Sequence, residues 1–469
     1  MVIPERANEM LAKTSDISRI FQNAGKELYL VGGTVRDLIL AERDSGKSVN
    51  MQSTKDYDFA TNALPGETLS LVKDWADSVW TQGKRFGTIA CLKGDARFEI
   101  TTYRAEVYSN DTRKPAVVFG ESLEDDLIRR DFTVNSMALA LPSLELVDPF
   151  EGLSDLASST LRTPRAPSKS FDEDPLRMLR AARFIAGYHL QPVGELTAAV
   201  SEMAARIEMV SPERVRDELD KLLVVHEPSP GLAFLVDTGL AERFLPELPA
   251  LALEQDPIHR HKDVLAHTLA VVDKTSPERL LRLAALFHDV GKPKTRTYTS
   301  QGVSFYHHDV VGARMARERM RKLRYSTEDI SIVANLVALH LRFHTYRFGW
   351  TDSALRRYVR DAGPLLQWLN ELTRCDCTTR NPVKARELNE RMDDLESRIA
   401  ELRKREEIES IKPDLNGVQV MEHLGIPPGR EVGEALAFLL ELRMDRGPLS
   451  EDEAYRQLDE WWQRRIYRD

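Results

Sequence analysis

The 469-residue sequence predicts an α+β protein, with a mixed N-terminal part and an almost entirely helical remainder. Two observations carry this expectation. Strand-like runs at 28–31, 57–60, 88–92 and 98–103 alternate with helical patterns up to about residue 148. Beyond about residue 150 the apolar spacing is helical nearly throughout, with no internal repeat or low-complexity tract.

In order along the sequence, Leu28–Val31 forms the first strand, and Gly32-Gly33 turn it into a helix ending near Leu40. The segment 167–175, PSKSFDEDP, predicts a helix start, with Pro175 in the first turn of the helix that continues through PLRMLRAARF. SPERVRDELDKLL (211–223) starts the same way, with Ser211 as the expected cap and Pro212 behind it. Gly and Pro cluster at 227–231, an expected joint; a histidine-rich helical region spans 256–344, and 383–411 is a long charged helix. A further helical piece closes the sequence.

This length exceeds what one hydrophobic core supports and suggests two to four domains. A net charge of −9 argues against indiscriminate nucleic-acid binding through bulk charge, while leaving room for a local basic groove. Three cysteines, Cys91, Cys375 and Cys377, make no disulfide framework. The start lacks a signal pattern and no apolar run is long enough to span a membrane, so a cytoplasmic location is expected.

The chemistry begins at LYLVGGTVRDLIL (28–40). A strand–Gly-Gly–helix turn makes room for a phosphate, but it matches neither GxGxxG nor GxxxxGK[ST]. About twenty residues later comes KDYDFAT. On a strand, Asp56 and Asp58 point to the same side, and Glu99 sits inside another apolar run, RFEITTY. Carboxylates so placed repel one another unless a cation lies between them, and hard oxygen ligands suit Mg²⁺ carrying substrate phosphates. An isolated pair of this kind is more often two solvent-facing aspartates; the combination with the glycine turn and Glu99 shifts the reading toward a site.

The order of these features resembles the polymerase-β-like nucleotidyltransferases. LVGGTVRD, KDYDFAT, DDLIRRDFTVNSMAL (125–139), LVDPFEGLSDL (146–156) and FDEDPLRMLRAARF (171–184) are similar to the successive motifs of class II tRNA nucleotidyltransferases, the CCA-adding enzymes and bacterial poly(A) polymerases. The resemblance covers roughly residues 28–223. It implies a nucleotidyltransferase head at 1–148, a helical neck with the nucleobase-reading helix at 149–225, and an activity on tRNA 3′ ends with CTP and ATP.

It also implies residue roles. Gly32 and Gly33 let backbone N–H groups approach the triphosphate, and Arg36 adds a charge-assisted fork braced by Asp37. Asp56 and Asp58 hold two Mg²⁺ ions, with Glu99 the candidate third carboxylate. Arg130 contacts nucleotide, with Asp131 and Asn135 near the sugar. Asp174 and Arg177 form the nucleobase-reading pair: one acceptor and one donor select C and A together, without a nucleic-acid template. Arg180 and Arg183 lie toward the phosphates, although such an arginine row is also compatible with a solvated helix face.

Between CCA and poly(A) addition, WTQGKRFGTIACL (80–92) decides. Thr81-Gln82 and Thr88 stand where the poly(A) polymerase pattern has aliphatic residues, so CCA addition is expected. Poly(A) addition, and a division of C and A addition between separate chains, stay open as alternatives.

Eight of the eleven histidines fall between 259 and 344. Adjacent His288-Asp289 after an apolar helix, with His267, His307, His308, His340 and His344 nearby in sequence, suits a transition metal: Mn, Fe, Co, Ni or Zn. The pattern resembles the HD phosphohydrolase superfamily. The resemblance implies His267, His288, Asp289 and Asp376 as ligands, His308 and His340 as additional ligands of a two-metal form, and His307 as the rival to His308. An HD metal-dependent phosphohydrolase-like domain is thereby expected at 226–380 and a helical tail at 381–469. An enzyme chiefly of the HD type, with a nucleotide-sensing head, is the rival reading. Lys384–Lys404 is expected either to contact tRNA or to pack as an amphipathic helix.

Overall fold

The computed structural model describes residues 5–43, 56–107, 116–119, 122–253, 263–299, 302–346, 350–377, 382–406 and 412–466. The chain divides into two compact units, one holding 1–211 with 237–244 and the other 212–236 with 245–469. The Gly-Pro cluster at 227–231 is not where they divide.

The first unit opens with α1 (Glu5–Asn23), β1 (Leu28–Val31) and α2 (Gly33–Arg43), followed by β2 (Asp56–Thr61) and α3 (Pro65–Val72). Then come β3 (Ser78–Trp80), β4 (Thr88–Lys93), β5 (Ala96–Thr102), β6 (Arg104–Val107), β7 (Ala116–Phe119), α4 (Leu123–Leu127), β8 (Ala138–Ala140) and β9 (Leu146–Val147). Seven of these strands form one sheet in the order β3-β4-β5-β2-β1-β8-β9, with β2 and β5 parallel. The four strands expected from sequence are β1, β2, β4 and β5.

On β2 the alternation is plain: Tyr57 and Phe59 are buried while Asp56 and Asp58 face out. Phe98 of β5 stacks on Tyr57 and Phe59 at 5.3 and 5.9 Å, and Trp75 meets it edge-on at 5.1 Å. An aromatic layer under one face of the sheet therefore fixes the register that presents the acids on the other.

The unit continues with α5 (Gly152–Ala157), β10 (Thr160–Leu161), α6 (Pro167–Glu173), α7 (Leu176–Tyr188), β11 (Gln191–Pro192) and α8 (Gly194–Met203). The segment 167–175 contains the expected helix start at Pro175 and also a short helix of its own. Pro167 opens α6, Asp174 leaves it with extended backbone, and Pro175 opens α7. Buried Met178, Leu179, Ala182 and Ile185 give α7 its packed stripe.

The second unit begins with α9 (Pro212–Leu223) and α10 (Ser229–Asp237), whose last residue belongs to the first unit, as does α11 (Ala241–Phe244). It continues with α12 (Val264–Lys274), α13 (Arg279–Phe287), α14 (Lys292–Thr295), a hairpin of β12 (Arg296–Thr299) and β13 (Gly302–Phe305), α15 (His308–Lys322) and α16 (Thr327–Leu339). The hairpin corrects the expectation of an all-helical histidine region. Then follow α17 (Asp352–Ala362), α18 (Leu366–Asp376), α19 (Pro382–Arg405), α20 (Gly417–Leu424), α21 (Arg430–Arg446) and α22 (Glu451–Ile466).

Buried Arg282 on α13 holds this unit together. Its guanidinium donates to the Leu223 carbonyl at 2.6 Å and to the Thr275 carbonyl at 2.9 Å, two carbonyls left over where α9 and α12 end. The helix α19 buries Met392, Leu395, Ile399 and Leu402, an i, i+3, i+7 stripe that makes it a packing helix on that face.

Candidate active sites

In the first unit the sheet brings the acids together. β2 and β5 pair so that Asp56 stands opposite Arg97 and Asp58 opposite Glu99. Arg97 donates to Glu99 at 2.5 Å. The same face carries a cavity of about 420 Å³ lined by Trp80, Gln82, Gly83, Thr88, Ala90, Arg97 and Glu99. Desolvation by its surroundings, then Glu99 and Asp56, raise the pKa of Asp58, and nearby Arg130 offsets part of that rise.

The glycine turn meets this edge. Gly32 has φ +72°, a left-handed conformation that favours glycine, and a Cβ there would lie 2.9 Å from Arg130 Nη1 and 3.9 Å from Asp58 Oδ2. Gly32, Arg130 and Asp58 thus converge on one point. Arg130 is steadied by Asp126, whose carboxylate accepts from its Nη2 at 3.0 Å.

Arg36, expected as a fork on the triphosphate, has partners within the protein. It is buried, donating to Asp37 at 2.8 Å, to the Asn135 side-chain carbonyl at 2.6 Å and to the Tyr188 hydroxyl at 2.5 Å. Asn135 in turn donates to Asp131 at 2.9 Å, and Asp131 receives Arg180 Nε at 2.8 Å and Nη2 at 2.5 Å. Burial works against the Asp131 charge, but Arg180 and Asn135 hold its pKa down at about 2. Asp131, Asn135 and Arg180 therefore form one buried polar chain with Arg36. It ties the end of α7 to the glycine turn.

At the start of α7 the expected reading pair lies within one turn. Arg177 N–H donates to the Asp174 carbonyl at 3.0 Å, and the Asp174 carboxylate accepts from Leu176 N–H at 3.2 Å. The Arg177 guanidinium donates to Ser170 Oγ at 2.8 Å and to the Arg129 carbonyl at 2.5 Å, with Glu173 at 3.5 Å. Arg183 lies 4.9 Å from the Phe184 ring. Sequence reasoning missed Tyr188 and Glu173. Tyr188 is 152 residues from Arg36, so no local pattern announces it.

In the second unit six expected residues come together as two sets of three. His267, His288 and Asp376 form one, and Asp289, His308 and His340 the other, with ligand atoms inside each within 4.8 Å of one another. Asp289 links them: its Oδ2 is 3.2 Å from His288 Nε2 and its Oδ1 3.4 Å from His308 Nε2. His267 Nε2 stands 2.9 Å from Asp376 and 3.3 Å from His288 Nε2.

Local structure orients these rings. His288, His308 and His340 each direct Nδ1 at the carbonyl three residues earlier, of Ala285, Phe305 and Val337, at 2.6–2.7 Å. Such pairing makes Nδ1 the donor and leaves Nε2 as the lone-pair atom facing inward. His308 and His340 Nε2 are buried and have no hydrogen-bond partner. Gly291 permits the approach, since a Cβ there would lie 2.1 Å from the His308 carbonyl. Converging lone pairs on orphaned buried nitrogens, with carboxylates between them, fit divalent transition-metal ions.

Without metal the centre polarises. Burial opposes charge on His288, but Asp289 and Asp376 raise its pKa to about 10, and Asp289 itself falls well below the usual carboxylate range despite its burial. Burial, together with charge on His288, lowers His340 to about 4. Lys292, which the sequence reading did not single out, donates to Asp289 at 2.5 Å from one helical turn away.

His307 is exposed, with φ +59°, and stands outside both sets; Cys375 and Cys377 flank Asp376 as free thiols outside them as well. The side chain of His344 lies outside the described residues. Among the described residues no helix is long and apolar enough to cross a membrane.

Three family models match successive parts of the sequence. They are described as Poly A polymerase head domain (residues 28–162), Probable RNA and SrmB- binding site of polymerase A (194–251) and HD domain (263–403). An A-adding tRNA nucleotidyltransferase from Deinococcus radiodurans is 34% identical over 433 residues, covering 88% of this chain and 91% of that one. A CCA-adding enzyme from Levilactobacillus brevis is 37% identical over 237 residues, 50% of this chain and 56% of that one. One from Streptococcus pneumoniae is 39% identical over 246 residues, 52% and 56%. The match thus spans about half the length of those two relatives. Among solved structures, the CCA-adding enzyme of Bacillus stearothermophilus in complex with CTP has a TM-score of 0.71 at 22% identity, covering 99% of this chain and 100% of that one. The Thermotoga maritima CCA-adding enzyme complexed with tRNA has 0.57 at 18%, covering 97% and 96%. At these identities the likeness is one of fold.

Proposed function

The chain belongs to the tRNA nucleotidyltransferase and poly(A) polymerase family, and from that premise we propose that it adds C, C and A to tRNA 3′ ends from CTP and ATP. The observation carrying this reading is the convergence of Gly32, Arg130 and Asp58 beside the carboxylate face of the sheet. In it, residues 1–148 are the head, 149–225 the neck, 226–380 the HD domain and 381–469 the tail.

Asp56 and Asp58, with Glu99 beside them, are the residues that would hold Mg²⁺. The ions would supply activation of the 3′-hydroxyl and neutralisation of phosphate charge. The backbone at Gly32 and Gly33 accepts the triphosphate, and Arg130 adds its charge there. Asp174 and Arg177 read the nucleobase. Arg36 acts as a brace rather than as a phosphate contact, because three partners already hold it. Lys384–Lys404, outside its packed stripe, is the part of the tail that would meet tRNA.

A second reading is favoured by the nearly full-length match to an A-adding relative: addition of the terminal A alone. Purified protein supplied with tRNA lacking CCA, tRNA ending in CC, and labelled CTP or ATP separates the two. CTP incorporation into the first substrate supports CCA addition; ATP incorporation only into the second supports terminal A addition. ATP incorporation into the first substrate without any CTP promotes poly(A)-type addition.

The second centre we read as a metal-dependent phosphohydrolase acting on damaged RNA 3′ ends. His267, His288, Asp289, His308, His340 and Asp376 would hold its ions, of the Mn, Fe, Co, Ni or Zn class, which would supply an activated water and a Lewis acid. Lys292, beside Asp289, would place a positive charge against the phosphate.

A further inference from the structure

Beside the histidine centre stands a hairpin that these assignments leave without a role. β12 and β13 pair with Arg296 opposite Phe305 and Tyr298 opposite Val303. Residues paired directly, and residues two apart, share a face of the ribbon. Arg296, Tyr298, Val303 and Phe305 therefore line one side, with Thr297 and Ser304 on the other. That first side leads from the metal ligands: Lys292 Nζ is 2.5 Å from Asp289 and 5.7 Å from the centre of the Phe305 ring. His308 is anchored on the Phe305 carbonyl at 2.7 Å. Further out, Tyr298 is 50% exposed, with the Arg296 guanidinium 5.4 Å from its ring.

A row of cation, ring, cation and exposed ring next to a metal set has a specific use. Exposed aromatic faces beside arginine stack nucleobases without regard to sequence, while flanking cations follow the phosphates. Lys292, Lys294 and Arg296 supply three such cations within five residues of a chain whose net charge is −9. Tyr298 stands roughly 7 Å along the strand from Arg296, whose cross-strand partner Phe305 packs on Lys292.

We propose that this face of the hairpin is a stacking platform for the end of a single-stranded RNA, seating a terminal base on Tyr298 while its phosphate lies beside Lys292 at the histidine centre. The proposal rests on the phosphohydrolase reading of that centre and names the surface that holds its RNA substrate. For a 2′,3′-cyclic phosphate the step adds water across one P–O bond: phosphorus gains the hydroxyl oxygen, the freed ribose oxygen takes the proton, and no other reactant is needed.

The test uses the full chain loaded with Ni²⁺ or Mn²⁺, comparing wild type with Tyr298→Ala, Tyr298→Phe and, on the opposite face, Thr297→Ala. Each is assayed on a short RNA ending in a 2′,3′-cyclic phosphate and on bis(p-nitrophenyl) phosphate, which has no base. Tyr298→Ala is expected to raise KM for the RNA roughly tenfold, the weight of one stacked base, with kcat unchanged and the small diester hydrolysed as before. Tyr298→Phe keeps the wild-type KM, as does Thr297→Ala. In parallel, an RNA carrying a 3′-terminal 4-thiouridine is crosslinked to the metal-loaded chain, and the labelled peptide is expected to contain Tyr298. An unchanged KM for RNA, or an equal loss on both substrates, overturns the platform. If wild type hydrolyses neither diester, the phosphohydrolase reading fails instead. The crosslink then decides the platform, because label found only outside the hairpin rejects it.

Discussion

The two candidate centres are built from opposite materials. In the histidine centre, four rings, three of them fixed by backbone carbonyls, already lie with two carboxylates in two tight sets of three. In the head, the acids Asp56, Asp58 and Glu99 share a face of two paired interior strands, where burial first, and then Glu99 and Asp56, raise the Asp58 pKa. Imidazoles approach one another at modest cost without a cation, whereas carboxylates do not. The histidine centre is therefore preformed by the fold, while the carboxylates of the head keep their mutual repulsion. Order in the head resides instead in the chain Arg36–Asn135–Asp131–Arg180, behind the reacting edge.

If the centres are independent, each must be removable without the other. Asp58→Ala is expected to lower nucleotide incorporation by about 10³-fold or more, the scale of losing metal-held charge at phosphate, and to leave diester hydrolysis intact. His288→Ala should do the reverse, with metal affinity of the histidine centre down by at least about 100-fold. Parallel incorporation and hydrolysis assays on both variants check this. Loss of both activities in either one breaks the distinction, and loss of incorporation in His288→Ala would support an enzyme chiefly of the HD type.

Preformation also predicts a pH dependence. In the metal-free centre His288 holds its proton up to a pKa of about 10, and a metal must displace it to reach Nε2. Below that pH each unit of acidification should weaken apparent metal affinity about tenfold, and binding at neutral pH should release about one proton from this residue. Calorimetry in buffers of different ionisation enthalpy counts the proton. Binding without release would mean that the carboxylates do not hold it.

Asp56, Asp58 and the His288-Asp289 pair were legible in the sequence because local rules place them, whereas His267, His308, His340 and Asp376 came from the resemblance alone. Period-two alternation puts Asp56 and Asp58 on one face, and a helix end displays His288 with Asp289. The partners of Arg36 were not legible for the converse reason: Asn135 and Tyr188 lie 99 and 152 residues away, and no spacing rule connects them. The hairpin strands at 296–299 and 302–305 did leave a signal, the β-type residues Thr297, Tyr298, Thr299 and Val303 beside Gly302. The buried chain in the head offers its own test. The Asp131 pKa is depressed to about 2 in the folded protein against about 3.9 unfolded, so its stabilisation is full above about pH 4 and is lost as pH falls from there toward 2. Asp131→Asn should cost about 2 kcal/mol at neutral pH and flatten that acid limb in denaturant titrations.

The smallest expected effect isolates what makes a ligand in the preformed centre. His307 and His308 are neighbours of the same chemistry, and the sequence leaves them as rivals. The backbone separates them. His307 has φ +59° and caps α15 with its ring in solvent, which turns His308 inward onto Asp289. A left-handed residue other than glycine carries strain of roughly 1 kcal/mol. His307→Gly should therefore leave metal affinity unchanged and hold or raise unfolding free energy by about 0.5–1 kcal/mol. His308→Ala should lose metal from its set. Calorimetric metal titration alongside chemical denaturation of the two variants measures both, and weakened metal binding in His307→Gly would mean that this ring, and not the turn it makes, serves the centre.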